Sequence, residues 1–158
     1  MRKASILVVD DNKITTKLLK RYLEANGYEA REAYDGIDCL EKVEEKQPDA
    51  IVLDVMMPRM DGYETVHKLK EQEHTRKIPV VIVTALNDIP NQLKSIESGA
   101  DDFLSKPIEE KLLIAKVRLL SSLSMNTLYA SKFRVILDGV VSGNFDKDAV
   151  KQKLDEIE

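Results

Sequence analysis

Five polar residues that could do chemistry stand where short apolar runs of the sequence end. They are Asp10, Asp11, Asp54, Thr84 and Lys106. Short apolar runs flanked by turn residues are typical of buried strands in parallel sheets, whose carboxyl ends bind ligands. Carboxylates that lie close together raise one another's pKa, and a divalent cation such as Mg²⁺ relieves their repulsion. Because the lysine adds a positive charge and the threonine a hydroxyl donor, the set fits transfer of a phosphoryl group onto a carboxylate.

The apolar pattern predicts the elements that must position these residues. The predicted strands are residues 6–9, 28–33, 50–54, 78–83 and 102–105, and the predicted helices are residues 13–26, 36–47, 63–73, 90–98 and 109–121. Such alternation implies an α/β fold, with a parallel sheet covered by helices on both faces. We expect the more polar strand 28–33 near a sheet edge, Asn12 as the cap of the first helix and Gly27 at its end.

Several helices have apolar faces that we expect to be buried. The residues concerned are Ile14, Leu18, Leu19, Tyr22 and Leu23 in the first helix, Leu93 and Ile96 in the fourth, and Leu112, Leu113, Val117 and Leu120 in the fifth. Cys39 is expected to be a small buried hydrophobe. His67 and His74 are expected on helix surfaces, and Lys68, Lys70, Arg76 and Lys77 on a solvated face.

Composition limits the class of protein. The chain has 158 residues, 43% of them hydrophobic and 33% charged, with a formal net charge of −4 and one cysteine. This charge argues against a nucleic-acid module built on bulk positive charge. Since no apolar segment approaches the roughly 20 residues that span a bilayer, no membrane insertion is expected. One cysteine suits a reducing compartment, which favours a soluble cytoplasmic protein.

Four motifs in this order resemble the receiver domains of two-component response regulators. They are Val8-Val9-Asp10-Asp11, Leu53-Asp54-Val55-Met56-Met57-Pro58-Arg59-Met60-Asp61-Gly62, Thr84-Ala85 and Ser105-Lys106-Pro107. The stretches 54–62 and 99–103 resemble in particular the first receiver of regulators that end in a diguanylate cyclase. The resemblance implies a flavodoxin-like sheet with strand order 2-1-3-4-5. It covers about residues 4–121 and so implies a receiver domain at 1–121. Beyond this domain, apolar residues at roughly helical spacing predict a helical C-terminal extension at 122–158.

The resemblance also implies a role for each residue of the site. Asp54 would accept a phosphoryl group from the phosphohistidine of a sensor histidine kinase or a histidine phosphotransfer protein. Asp11, Asp54 and the backbone carbonyl of Met56 would bind Mg²⁺, and Asp10 would act through a bound water. Lys106, joined to Pro107 by a cis bond, would contact the phosphoryl group.

Thr84 and Phe103 are the switch residues that the resemblance implies. Thr84 would move toward the phosphoryl oxygen, and the ring of Phe103, which lacks the hydroxyl of tyrosine, would turn inward behind it. Phosphorylation would then change the surface of the last two helices for a partner or a second copy. The domain would catalyse only its own phosphorylation and dephosphorylation, so we do not expect an enzyme with a turnover product.

Two apolar residues flank the expected acceptor site. Met56 and Leu86 lie two residues beyond Asp54 and Thr84, and neither side chain can orient an attacking water. We therefore expect slower self-dephosphorylation than in family members with polar residues at these positions.

Several alternatives remain open from the sequence. A phosphohydrolase with an aspartyl-phosphate intermediate would commonly carry a second acid where Met56 stands. The chain could also be the N-terminal fragment of a longer regulator, or an interaction module whose site is vestigial. Asp10 and Asp11 could instead cap a helix, and Phe103 could be plain core. The apolar residues of 125–140 would form a helix face that needs a partner. This face could dock on its own domain, belong to the start of a longer linker, or form a dimer contact.

Overall fold

Strands and helices alternate along the chain, as the apolar pattern predicts. The computed structural model describes residues 2–85, 89–125, 148 and 151–152. The strands are β1 (Ser5–Val9), β2 (Glu29–Ala33), β3 (Ala50–Asp54), β4 (Val80–Thr84) and β5 (Asp102–Ser105). The helices are α1 (Lys13–Ala25), α2 (Gly36–Glu45), α3 (Gly62–Glu71), α4 (Ile89–Glu97) and α5 (Glu110–Met125).

The five strands form one parallel sheet in the order β2-β1-β3-β4-β5. Val9 pairs with Leu53 across β1 and β3, and Thr84 pairs with Ser105 across β4 and β5. These registers bring the carboxyl ends of four neighbouring strands to one rim of the sheet. The predicted flavodoxin-like fold is confirmed.

Apolar clusters fill both faces of the sheet because successive residues of a strand point in opposite directions. Ile6 and Val8 of β1 pack in a cluster with buried residues of α1 and α5. Leu7 and Val9 pack in a second cluster with buried residues of α2 and α3. Helices therefore cover both faces of the sheet, as predicted.

Local signals set several element boundaries. The Asn12 side chain accepts hydrogen bonds from the amides of Ile14 and Thr15 at 2.9 and 3.3 Å, which makes it the cap of α1. Gly27 follows the helix with φ +89°, a conformation that glycine adopts without strain. The more polar β2 lies at a sheet edge, as predicted.

The predicted buried face of α1 is partly wrong. Ile14 is 80% exposed and Leu18 is 44% exposed. Leu19 and Leu23 are buried as predicted, and Thr16, which was not predicted, is buried with them. These residues are three and four positions apart, so the buried stripe is narrower than the predicted face. Ile14 lies in the first turn of α1, just after the carboxyl end of β1.

The predicted faces of α4 and α5 also need correction. Leu93 and Ile96 are exposed, since α4 turns the buried Ser95 inward and packs on β4 and β5. Leu112 is exposed, whereas Leu113 and Ile114 are buried. A small residue such as Ser95 allows a helix to lie close to a sheet edge, and hydropathy alone does not reveal that.

Lys70 does not lie on a solvated face, contrary to prediction. Its Nζ donates to the carbonyls of Arg76 and Ile78 at 3.1 and 3.0 Å, and it forms an ion pair with Asp101 at 3.1 Å. Lys70 therefore ties the end of α3 to the loops at the amino ends of β4 and β5.

The last described helix passes the predicted domain boundary. α5 runs on to Met125, so a division after residue 121 falls inside this helix and stays a prediction. Residues 148 and 151–152 are helical, whereas the other residues predicted for the C-terminal extension lie outside the described part. Among the described helices, none combines the length and apolar character needed to cross a membrane.

Candidate functional site

Three carboxylates meet at the carboxyl rim of the sheet. Asp10 and Asp11 follow β1, and Asp54 ends the neighbouring β3. One carboxylate oxygen of each residue lies within 4.8 Å of the others. Asp10 and Asp54 are buried, whereas Asp11 is exposed. The sequence-based expectation that these side chains converge is confirmed.

Burial disfavours the ionised form of Asp10 in this cluster. Burial raises the pKa of Asp10 to about 6, and the charge of Asp54 adds to the effect. The Asn12 amide, which donates to Asp10 Oδ1 at 2.9 Å, opposes it. A cation bound among the three carboxylates would relieve this penalty.

The oxygen donors suit a magnesium ion. Mg²⁺ prefers hard oxygen ligands and is commonly bound through one or two carboxylates together with phosphate oxygens. Asp10, Asp11 and Asp54 supply such oxygens within one small region of the described chain. The residues present therefore fit the cation that the sequence predicts.

Lys106 lies against the central carboxylate. Its Nζ is 2.9 Å from Asp54 Oδ1. The backbone of Lys106 is anchored by a hydrogen bond from its amide to the Thr84 carbonyl at 2.7 Å. The peptide bond to Pro107 is cis, as the resemblance implies. The pairing of β4 with β5 thus directs a positive charge at the residue expected to accept the phosphoryl group.

Thr84 carries a buried hydroxyl at the end of β4. The residue is 3% exposed, and within the part of the chain that the structure describes its Oγ1 has no hydrogen-bond partner. Buried polar atoms are nearly always paired, and leaving one unpaired costs about 1–3 kcal/mol. This hydroxyl is available to a ligand held at the same rim.

The loop after Asp54 is packed tightly against the end of β3. The Gly62 amide donates to the Val55 carbonyl at 2.8 Å. A Cβ on Gly62 would collide with the carbonyl oxygen of Asp54, so only glycine fits there. Met56 lies in the loop between Val55 and Gly62, and the residue is 79% exposed. Its carbonyl as a metal ligand stays a prediction, and Leu86, the other flanking residue, lies outside the described residues.

Phe103 is only partly buried in β5, which does not agree with the plain-core alternative. Lys116 of α5 holds this strand, since its Nζ donates to the Phe103 carbonyl at 3.0 Å and to Asp102 Oδ1 at 2.8 Å. The same ammonium lies 5.6 Å from the centre of the Phe103 ring. Sequence reasoning missed Lys116, because nothing in its spacing points to a contact with β5.

The capping alternative for the acidic residues does not hold. Asn12 caps α1, so neither Asp10 nor Asp11 is the cap of this helix. The two histidines are exposed, and each pairs with a glutamate outside the cluster of Asp10, Asp11 and Asp54. His67 pairs with Glu71 and His74 with Glu44.

Comparisons with known proteins agree with this geometry. Residues 6–118 match the family model described as response regulator receiver domain. The chain is 46% identical over 135 residues to the response regulator PleD of Caulobacter vibrioides, covering 85% of this chain and 28% of PleD. It is 37% identical to the DNA-binding dual master transcriptional regulator RpaA of Synechocystis, covering 84% of this chain and 55% of RpaA.

A solved structure supports the same assignment. The chemotaxis response regulator CheY4 of Vibrio cholerae superposes with a TM-score of 0.71 at 28% identity, over 75% of this chain and 99% of that one. The chain thus spans less than a third of PleD and about half of RpaA. Since the family model covers most of the chain, including every residue of the rim, this protein belongs to the response regulator receiver domain family.

Proposed function

We propose that the chain is the receiver of a two-component phosphorelay, with Asp54 as the phosphoryl acceptor. Receiver domains of this family take phosphoryl groups on aspartate from histidine kinases. The observation that carries the proposal is the convergence at one rim of three carboxylates with an ammonium 2.9 Å from Asp54. The donor would be the phosphohistidine of a sensor histidine kinase or a histidine phosphotransfer protein.

In the proposed step an Asp54 oxygen attacks the phosphorus of the donor. The new phosphorus–oxygen bond forms as the phosphorus–nitrogen bond breaks, and the donor imidazole leaves with the electron pair. Lys106 neutralises negative charge on the phosphoryl oxygens while the phosphoryl group transfers. Mg²⁺, held by Asp11, Asp54 and the Met56 carbonyl with Asp10 acting through a water, would add positive charge against the same oxygens.

A groove beside the acidic cluster is compatible with this role. It is lined by Asp11, Met56, Pro58 and Lys94, among others. The groove therefore reaches the cluster at Asp11, its exposed member, whereas Asp54 itself is buried.

The switch would begin at the unpaired hydroxyl. A phosphoryl group on Asp54 would offer an acceptor to Thr84 Oγ1, and movement of Thr84 would leave room for the partly buried Phe103 ring. α4, β5 and α5 would then present a changed surface to a partner or a second copy. Such a domain would catalyse only its own phosphorylation and dephosphorylation.

The output of the whole protein is a separate part of the proposal. The resemblance to first receivers of cyclase-type regulators favours a cytoplasmic regulator with a diguanylate cyclase output. A phosphohydrolase is disfavoured, because the exposed Met56 stands where such enzymes commonly carry a second acid.

Proton–nitrogen NMR spectra and size-exclusion profiles with and without Mg²⁺ and beryllofluoride test the proposal. The expected result is a set of shifts at the rim, at Asp11, Asp54 and Lys106, followed by shifts in α4, β5 and α5. Asp54→Asn should abolish the response to beryllofluoride. A wild-type spectrum that does not change with either addition would refute the proposed function.

A further inference from the structure

The loop between β3 and α3 contains a backbone turn that is unusual for its residue type. Arg59 has φ +65°, and the Met60 amide donates to the Pro58 carbonyl at 2.7 Å. A bond between residues two apart around a positive φ is the rare form of γ-turn. Residues other than glycine disfavour this conformation, so it persists only where surrounding contacts impose it.

An ion pair with α2 supplies one such contact. Arg59 Nε and Nη2 lie 2.7 and 2.6 Å from Asp35 Oδ2. The Asp35 side chain is only 9% exposed, and its Oδ1 accepts from the Asp38 amide at 2.8 Å to cap α2. Burial alone would raise the pKa of Asp35, but the Asp38 amide and the guanidinium lower it. Asp35 thus binds the helix and the loop at once.

Close packing supplies a second contact beside the first. The Gly36 amide donates to the Met60 carbonyl at 3.3 Å. A Cβ on Gly36 would come within 2.8 Å of the Met60 side chain and would also collide with Thr65 Oγ1. The first turn of α2 is therefore fitted to the loop, and only glycine allows this approach.

These contacts and those at Gly62 hold the loop on both sides of Met56. Val55, which precedes Met56, accepts a hydrogen bond from the Gly62 amide. Arg59 and Met60, which follow Met56, are hydrogen-bonded to Asp35 and Gly36 at the start of α2. The Met56 side chain itself is exposed and packs against little. The direction of the Met56 carbonyl is thus determined by its neighbours in the chain.

We propose that Asp35 and Arg59 are positioning residues for the cation site, because their ion pair fixes the loop whose Met56 carbonyl binds the metal. The inference rests on the proposed function, in which this carbonyl is a ligand. Neither residue touches the metal or the phosphoryl group, so both act through the backbone of the loop.

Mg²⁺ titration followed by proton–nitrogen NMR of the full chain measures this effect directly. Asp35→Asn retains a capping side chain for α2 but loses the charge, and Arg59→Ala removes the other partner at a mostly exposed position. Each is expected to weaken Mg²⁺ binding about tenfold, as loss of a supporting partner typically does. Arg59→Lys keeps the charge and should restore part of the affinity. At saturating Mg²⁺ the variants should be phosphorylated by acetyl phosphate at the wild-type rate.

Asp49→Asn is the matched control. Asp49 is also buried and pairs with an arginine, Arg2, at 2.8 Å, but it lies before β3 at the opposite rim. The Asp49→Asn variant should lose stability but keep the wild-type affinity for Mg²⁺. Wild-type affinity in Asp35→Asn and Arg59→Ala, or an equal loss in Asp49→Asn, would overturn the inference. A wild-type chain that does not bind Mg²⁺ would instead refute the proposed function itself.

Discussion

Replacement of Thr84 by valine should have opposite effects on the free and the phosphorylated forms of the site. Valine has nearly the same shape, and it removes a hydroxyl that is buried and has no partner in the described part of the chain. An unpaired buried hydroxyl costs about 1–3 kcal/mol. We therefore expect Thr84→Val to raise the free energy of unfolding of the free chain by about 1 kcal/mol.

The same substitution should weaken the response to a phosphoryl analogue. With beryllofluoride on Asp54, the threonine hydroxyl gains a charged acceptor, and hydrogen bonds to charged groups contribute about 1.5–3 kcal/mol. The variant cannot form this bond. Its stabilisation by Mg²⁺ and beryllofluoride should be smaller by that amount, which corresponds to roughly tenfold weaker binding or more.

Urea unfolding followed by circular dichroism, with and without Mg²⁺ and beryllofluoride, measures both effects. Thr75→Val is the matched control, because Thr75 is equally buried but its Oγ1 donates to the Leu69 carbonyl at 2.6 Å. It should lose about 1 kcal/mol and keep the full response to beryllofluoride. The reasoning fails if free Thr84→Val is destabilised as much as Thr75→Val, or if it keeps the full response.

Three further substitutions test other parts of the account. Met56→Asn should speed release of phosphate from Asp54, because the amide can orient a water; a rate at or below that of wild type counts against this. Gly62→Ala should lower the free energy of unfolding by about 1–3 kcal/mol, since its Cβ meets the Asp54 carbonyl; an unchanged urea midpoint would contradict the packing. Asp49 has a lowered pKa, because bonds from Arg2 and the Ser5 amide outweigh burial. Its contribution to stability is therefore complete above the unfolded-state pKa of about 3.9 and is lost as pH falls through the folded-state value. Asp49→Asn should flatten the acid limb of the stability curve, and curves parallel to wild type would exclude this role.

The sheet could be predicted because its signals are local. β1, β3 and β4 each contain four consecutive apolar residues, and turn residues such as Gly27 and Asp61 mark where helices end or begin. The exposed faces of the helices could not be predicted as well. Whether Ile14 or Leu93 is buried depends on how each helix lies over the sheet, and that is set by packing between distant segments.

The acidic site could be predicted for a related reason. In a parallel sheet the strand order alone brings Asp10, Asp11 and Asp54 to one rim. The pair of Asp35 and Arg59 could not, because a helix cap and a loop arginine 24 residues apart carry no joint signal. Such contacts follow from the backbone path of the loop and not from residue type.

Mass spectrometry after incubation with acetyl phosphate and Mg²⁺ shows whether Asp54 accepts a phosphoryl group. We expect the chain to gain the mass of one phosphoryl group, peptide mapping to assign it to Asp54, and the gain to require Mg²⁺. Asp54→Asn should show no gain. No incorporation into the wild-type chain, or incorporation at another residue, would contradict the account.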